Sequence, residues 1–110
     1  HVLDIDALLL QRFQLRDQEL RLKADLASGL GTLRTAYEAA RIEEENQVWA
    51  DEQLRLAQER YQLGAATFLE LVEAETVKAR ADRERIAAIY AYHEALASLE
   101  VLVGTTLRTP

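Results

Sequence analysis

Tyr61-Gln62-Leu63-Gly64-Ala65-Ala66-Thr67-Phe68-Leu69-Glu70 is the stretch that decides the fold. Helical patterns run into it and out of it, and nothing else between Thr32 and Val103 looks like a stop. Gly64 fits the position just past a helix end, where a positive φ is needed and glycine adopts it cheaply. Thr67-Phe68-Leu69-Glu70 fits a capping box. There the Glu70 N–H donates to the Thr67 hydroxyl, and the Thr67 N–H donates to the Glu70 carboxylate. The pattern predicts a helix over about 6–63, a tip turn at 63–67, a second helix over about 68–103 and a frayed tail at 104–110. A link of about four residues forces the helices antiparallel. The expected fold is all-α: a long antiparallel two-helix coiled-coil hairpin.

Composition agrees. The chain has 110 residues, enough for one domain, with no Cys, one Pro and four Gly. Abundant Ala, Leu, Glu and Arg suit long helices. Without cysteine there is no disulfide, no thiolate zinc site and no thiol nucleophile. A formal net charge of −6 argues against a nucleic-acid partner. The apolar run Ala7-Leu8-Leu9-Leu10 falls far short of the roughly 20 residues that cross a bilayer. The chain is therefore expected not to span a membrane. It starts at His1 and contains no Met, so it reads as a processed or excised piece.

Asp4 or Asp6 is the expected N-cap of the first helix. Asp17/Arg21 and Glu19/Lys23 place the acid first at a spacing of four, the better order. In Ser28-Gly29-Leu30-Gly31-Thr32, two glycines cost a helix roughly 2 kcal/mol against alanine. Two readings follow: a bend in one long helix, or a break near Ser28–Thr32 that gives three helices. No proline or turn cluster enforces a stop, which favours the bend. Leu33, Ala36, Ala40, Ala50, Leu54, Ala57 and Tyr61 keep a spacing of three and four, with polar gaps at Glu43 and Gln47. An unbroken first helix would be roughly 87 Å long, a rod rather than a globule.

In the second helix Ala74, Ala81, Ala88 and Ala95 recur every seven residues, with Leu102 in phase. That repeat implies a left-handed supercoil. A reversal between Ala65 and Ala66 makes the numbers of facing residues add to about 131. Ala57 then meets Ala74, Leu54 meets Val77, Ala50 meets Ala81, Ala40 meets Ala91 and Ala36 meets Ala95. Asp51 and Glu52 fall opposite Lys78 and Arg80. A separate apolar stripe, Leu69, Val72, Ala79, Ile86, Ile89/Tyr90 and Leu96, lies off the alanine seam. It must meet something beyond one hairpin.

No constellation points to catalysis. Glu43-Glu44-Glu45 with Asp51-Glu52 reads as a solvated helix face rather than a cation site. His93 has no second histidine nearby and supplies too few donors for zinc. Trp49 reads as a packing residue. No nucleophile lies beside a base. No cofactor or metal is expected, and the chain is not expected to be an enzyme. Glu70 and Glu73, one turn apart, read first as a capping-box acid and a first-turn acid favoured by the helix dipole.

The run Ala57–Glu75 resembles the signature of the TolC-like outer-membrane efflux channel family. Leu63-Gly64, five variable residues, then Glu70-Leu71 and a second acid at Glu73 carry the likeness. Ala79-Arg80, Tyr90, Leu99 and Gly104 extend it, so that it covers roughly Leu33 to Gly104. The resemblance implies a homotrimeric outer-membrane β-barrel continued by a periplasmic α-helical barrel, each protomer with two helical-hairpin repeats. This chain would be the hairpin of one repeat, the periplasmic part of an outer-membrane protein in a Gram-negative bacterium. The work implied is drug efflux or type I secretion. The Gly turn, at Leu63, Gly64, Ala65, Ala66 and Thr67, would dock on the hairpin of a membrane-fusion adaptor. Glu70 and Glu73 would fall at the pore entrance. Both are Glu where Asp is common, and Ala65 and Ala66 replace the basic residue some members carry in the turn. The alternative is a self-contained coiled-coil adaptor or scaffold for protein–protein interaction, with the Gly turn a mere connection.

Overall fold

The computed structural model describes residues 2–108. They form two helices joined by one turn: α1, Val2–Gln62, and α2, Phe68–Arg108. α1 has 61 residues, which at 1.5 Å each is about 92 Å. The molecule measures 94 × 19 × 14 Å, so α1 runs nearly its whole length without a bend. The three-helix reading is thereby excluded.

The helix passes through Ser28–Thr32 because Gly29 has a packing role. A Cβ on Gly29 would lie 3.2 Å from Leu99 Cδ1 and 3.7 Å from Leu102 Cδ1. Its absence lets those leucines seat against α1. Gly31 has nothing within 4 Å of its Cβ position. The helix ends also differ from expectation. α1 begins at Val2, so Asp4 is a first-turn acid rather than a cap, and Asp6 lies inside the helix. α2 continues through Gly104 to Arg108, so 104–108 is helix, not tail. One glycine costs a helix about 1 kcal/mol, too little to stop it where α1 still runs alongside. The rest of the expected tail, Thr109 and Pro110, lies outside the described residues.

The least exposed positions of α1 between Leu22 and Ala57 step by four and three throughout: 22, 26, 29, 33, 36, 40, 43, 47, 50, 54 and 57. In α2 the same alternation runs through 71, 74, 78, 81, 85, 88, 92, 95, 99 and 102. This is the heptad seam of two antiparallel helices. Ala50, Ala81 and Ala95 are its most buried members, at 4%, 7% and 9% exposure. Facing residues confirm the register: Tyr37 with Tyr92, Gln47 with Asp82, Asp51 with Lys78, and Tyr61 with Phe68. The pairings of Leu54 with Val77 and of Ala40 with Ala91 fail. Val77 is exposed, and Lys78 holds the seam position one residue on. Ala91 is exposed, and Tyr92 holds the seam position one residue on.

Mid-rod, the seam turns polar. Glu43, Gln47, Lys78 and Arg85 occupy seam positions around Ala50 and Ala81. The Gln47 amide donates to Asp82 at 2.6 Å, and Arg85 donates to Gln47 Oε1. Lys78 Nζ lies 2.8 Å from Asp51 and 2.5 Å from Asp82. The hydrogen bonds that Lys78 donates to Asp51 and then to Asp82 hold its ammonium above its ordinary pKa. Lys78, and after it Gln47, hold the Asp82 carboxyl below its own.

Much apolar surface stays uncovered. Residues 2–21 of α1 project past the paired region with Leu3, Ile5, Leu8, Phe13, Leu15 and Leu20 exposed. On α2, Leu69, Val72, Ile86, Ile89 and Tyr90 are exposed, as the second stripe requires, but its last member, Leu96, is half-buried. The accessible surface is 8986 Å², against about 6200 Å² for a compact monomer of this mass.

The stretch Phe68–Gly104 is long and apolar enough to cross a membrane by length and composition alone. The same stretch supplies the seam residues that pack on α1. In a bilayer it would draw in the outer face of α1, with Arg34, Glu38 and Arg41. Each charge at the centre of a spanning helix costs about 2.5–3.5 kcal/mol or more. The expectation that this hairpin does not span therefore rests on the pairing, not on the absence of an apolar stretch.

Gly31→Ala should raise the unfolding free energy by roughly 1 kcal/mol, since it adds helix propensity and meets no neighbour. Urea titration followed by circular dichroism checks this. An unchanged or lower midpoint would mean that α1 is not a regular helix at Gly31.

Candidate functional site: the hairpin tip

The five residues between the helices turn the chain with two interlocking motifs. Gly64 has φ +75°, the only positive φ among the described residues. The Ala65 N–H donates to the Arg60 carbonyl at 2.7 Å, and the Gly64 N–H donates to the Tyr61 carbonyl at 3.0 Å. This is the Schellman arrangement, and it satisfies carbonyls that the end of α1 would leave open. Arg60 adds a clamp: its guanidinium donates to the Ala65 carbonyl at 3.0 Å and lies 3.9 Å from the Glu70 carboxylate.

The start of α2 closes with the expected capping box. The Thr67 N–H donates to Glu70 Oε2 at 3.1 Å, and the Glu70 N–H donates to Thr67 Oγ1 at 3.1 Å. Ala66 and Leu71, the two hydrophobic-staple positions around that box, are both half-buried. Tyr61 and Phe68 close the base of the turn, with ring centroids 6.2 Å apart and planes tilted by 57°.

The candidate docking residues are thus presented unequally. Leu63 stands out at 83% exposure, and Gly64, Ala65 and Thr67 are exposed. Ala66 is half-buried, so it is less open to a partner than its neighbours. The two candidate acids also separate. Glu70 is engaged by Thr67 and faces Arg60. Glu73, one turn on, is exposed and makes no hydrogen bond or ion pair among the described residues.

Elsewhere the acidic run splits by helix phase. Glu43 faces the seam, Glu44 reaches to 4.0 Å from Arg85, and Glu52 pairs with Arg55 at 2.6 Å. The hydrogen bond from Arg55 lowers the Glu52 pKa. Among the described residues no group of acids and histidines is arranged to hold a metal ion. His93 sits edge-on to Tyr92, with ring centroids 5.5 Å apart. Trp49 is 68% exposed, so it is not a packing residue within this chain. Sequence reading missed the Arg60 clamp. Its signal was a long basic side chain one turn before the helix end, able to reach back over a Gly turn.

Gly64→Ala should destabilise the hairpin by about 1–2 kcal/mol, the cost of placing a Cβ at left-handed φ. Thr67→Ala should cost about 1 kcal/mol through the lost cap. Chemical denaturation of both variants measures this. A neutral Gly64→Ala would mean that the turn is not the one described.

A family model described as outer membrane efflux protein matches residues 5–105. No curated protein and no solved structure matches the chain. A match over nearly the whole length, on a rod whose Gly turn and capping box stand where the motif requires them, shows that the chain belongs to the outer membrane efflux protein family, whose members are channels of the Gram-negative outer membrane rather than enzymes.

Proposed function

We propose that this hairpin is one wall element of the periplasmic α-helical barrel of a homotrimeric channel for drug efflux or type I secretion. Its tip docks on the helical hairpin of a membrane-fusion adaptor. The observation that carries the reading is the tip itself. A rod 94 Å long ends in a rigid turn that offers Leu63, Gly64 and Ala65 to solvent. Small residues there let a second backbone approach closely. The family's channels are homotrimers that work with adaptors, which supplies the partner class. The uncovered stripe on α2 and the uncovered outer row Ile42, Trp49 and Leu56 on α1 suit a hairpin with neighbours on its flanks. A self-contained scaffold fits less well, since it would leave that surface in water.

Ala65→Trp tests the docking. Ala65 is exposed, so the change leaves the hairpin folded while blocking close approach. In the full-length channel it should cut export or drug resistance at least about tenfold, a loss of roughly 1.4 kcal/mol in coupling. Wild-type export would refute the docking assignment. Ala66→Trp is the weaker test, because Ala66 is half-buried in the turn.

Glu73 is the better candidate for the pore entrance, because Glu70 is engaged in the cap. Three like charges around a narrow entrance attract cations. Glu73→Gln should weaken cation selectivity and divalent-ion block of the full-length channel in a planar bilayer. Glu70→Gln should act on tip stability instead. Unchanged selectivity in Glu73→Gln would return Glu73 to the role of a helix-start acid.

A further inference from the structure

The apolar seam has one interruption, and the polar groups that cross between the helices concentrate in it. Between Glu43 and Asp51 on α1, and Lys78 and Arg85 on α2, only Ala50 and Ala81 are buried apolar seam residues. A leucine layer flanks this stretch toward the tip, and toward the open end the seam runs through Ala40, Ala88, Tyr92, Ala36 and Ala95 before the next one. Leu54 and Leu71 stand toward the tip, and Leu33 and Leu99 toward the open end, all half-buried. Gln47 with Asp82, Arg85 with Gln47, Lys78 with Asp51 and Arg85 with Glu44 all bridge the helices inside the stretch. Two of its enclosed atoms, Glu43 Oε2 and Arg85 Nε, have no hydrogen-bond partner.

We propose that this polar layer is a joint, the place along the rod where α1 and α2 part first, while the turn and the leucine layers stay closed. Parting the helices here uncovers two alanine side chains rather than leucines, so little apolar area enters water. It also gives water to the two enclosed, unpartnered atoms, which removes a cost instead of adding one. The bonds that hold the layer are partly exposed ion pairs and charge-assisted hydrogen bonds, which salt screens; leucine contacts are not screened. The end nearer the tip thereby gains freedom to swing against the rest of the rod without unfolding. This inference concerns the hairpin itself and does not depend on the docking or pore assignments.

The chain has no cysteine, so a single introduced thiol reports local opening. Ala50→Cys and Ala81→Cys place thiols inside the layer, and Ala95→Cys places one at a comparably buried seam position outside it. With an uncharged thiol reagent, the first two should label at least about tenfold faster than the third, and faster again as NaCl rises from about 50 to 500 mM. In a background carrying Glu43→Leu, Gln47→Leu, Lys78→Leu and Arg85→Leu, the excess rate and its salt dependence should both vanish. Labelling inside the layer no faster than at Ala95→Cys, or an excess rate that ignores salt, would overturn the proposal. So would an excess rate that persists in the leucine background.

Discussion

The positive φ at Gly64 reverses the chain within five residues, and every cross-helix contact inherits its register from that reversal. The Schellman bonds fix where α1 stops, and the capping box fixes where α2 starts. Because neither end is free to fray, the phase of one helix against the other is set at the tip and carried along the rod. Ala50 meets Ala81, and Asp51 meets Lys78, as a consequence of geometry laid down more than ten residues away. Arg60 reinforces the same point by tying the Ala65 carbonyl to the side of Glu70.

A register set by a turn permits a seam built mainly of alanine. Small seam residues bring the axes close but bury little area each, and among the described residues no large side chain is fully buried. Apolar burial at about 25 cal/mol per Å² is therefore modest within this chain. The hairpin accordingly carries its larger apolar residues, Trp49, Ile86, Tyr90 and the row from Leu3 to Leu20, on faces that another part of an assembly would cover. The proposed place in a barrel wall gives that arrangement a reason, since such a wall would stabilise each hairpin through its neighbours rather than through its own core.

The turn was legible because Gly64, Thr67 and Glu70 each state a backbone requirement that few other residues meet. The pairing of Asp51 with Lys78 followed once the turn was placed. The polar layer was not legible: counting apolar residues made Glu43 and Gln47 look like gaps, although both lie in phase with the seam. Polarity and helix phase are separate signals, and only the second decides which way a side chain points. Alanine misled in the opposite sense. Ala39, Ala40, Ala87, Ala88 and Ala91 are alike in sequence, so composition could not say that Tyr92, not Ala91, takes the seam. Gly29 and Gly104 looked like weak points, but a lone glycine does not stop a helix that has a partner beside it. The tip's exposure was legible, whereas the half-burial of Ala66 depended on staple geometry.

The central claim is that the Gly64 turn sets one antiparallel register for the whole rod. Its most direct test is intramolecular cross-linking with a short bis-maleimide, which adds one cysteine thiol to each ring; its reach of about 8 Å is close to the 8–10 Å between packed helix axes. The Ala50→Cys/Ala81→Cys pair should cross-link within a monomer. The Ala50→Cys/Ala88→Cys pair, displaced by one heptad, should not. Efficient cross-linking of the displaced pair, or linkage of the first pair only between chains, would contradict the register and the hairpin with it.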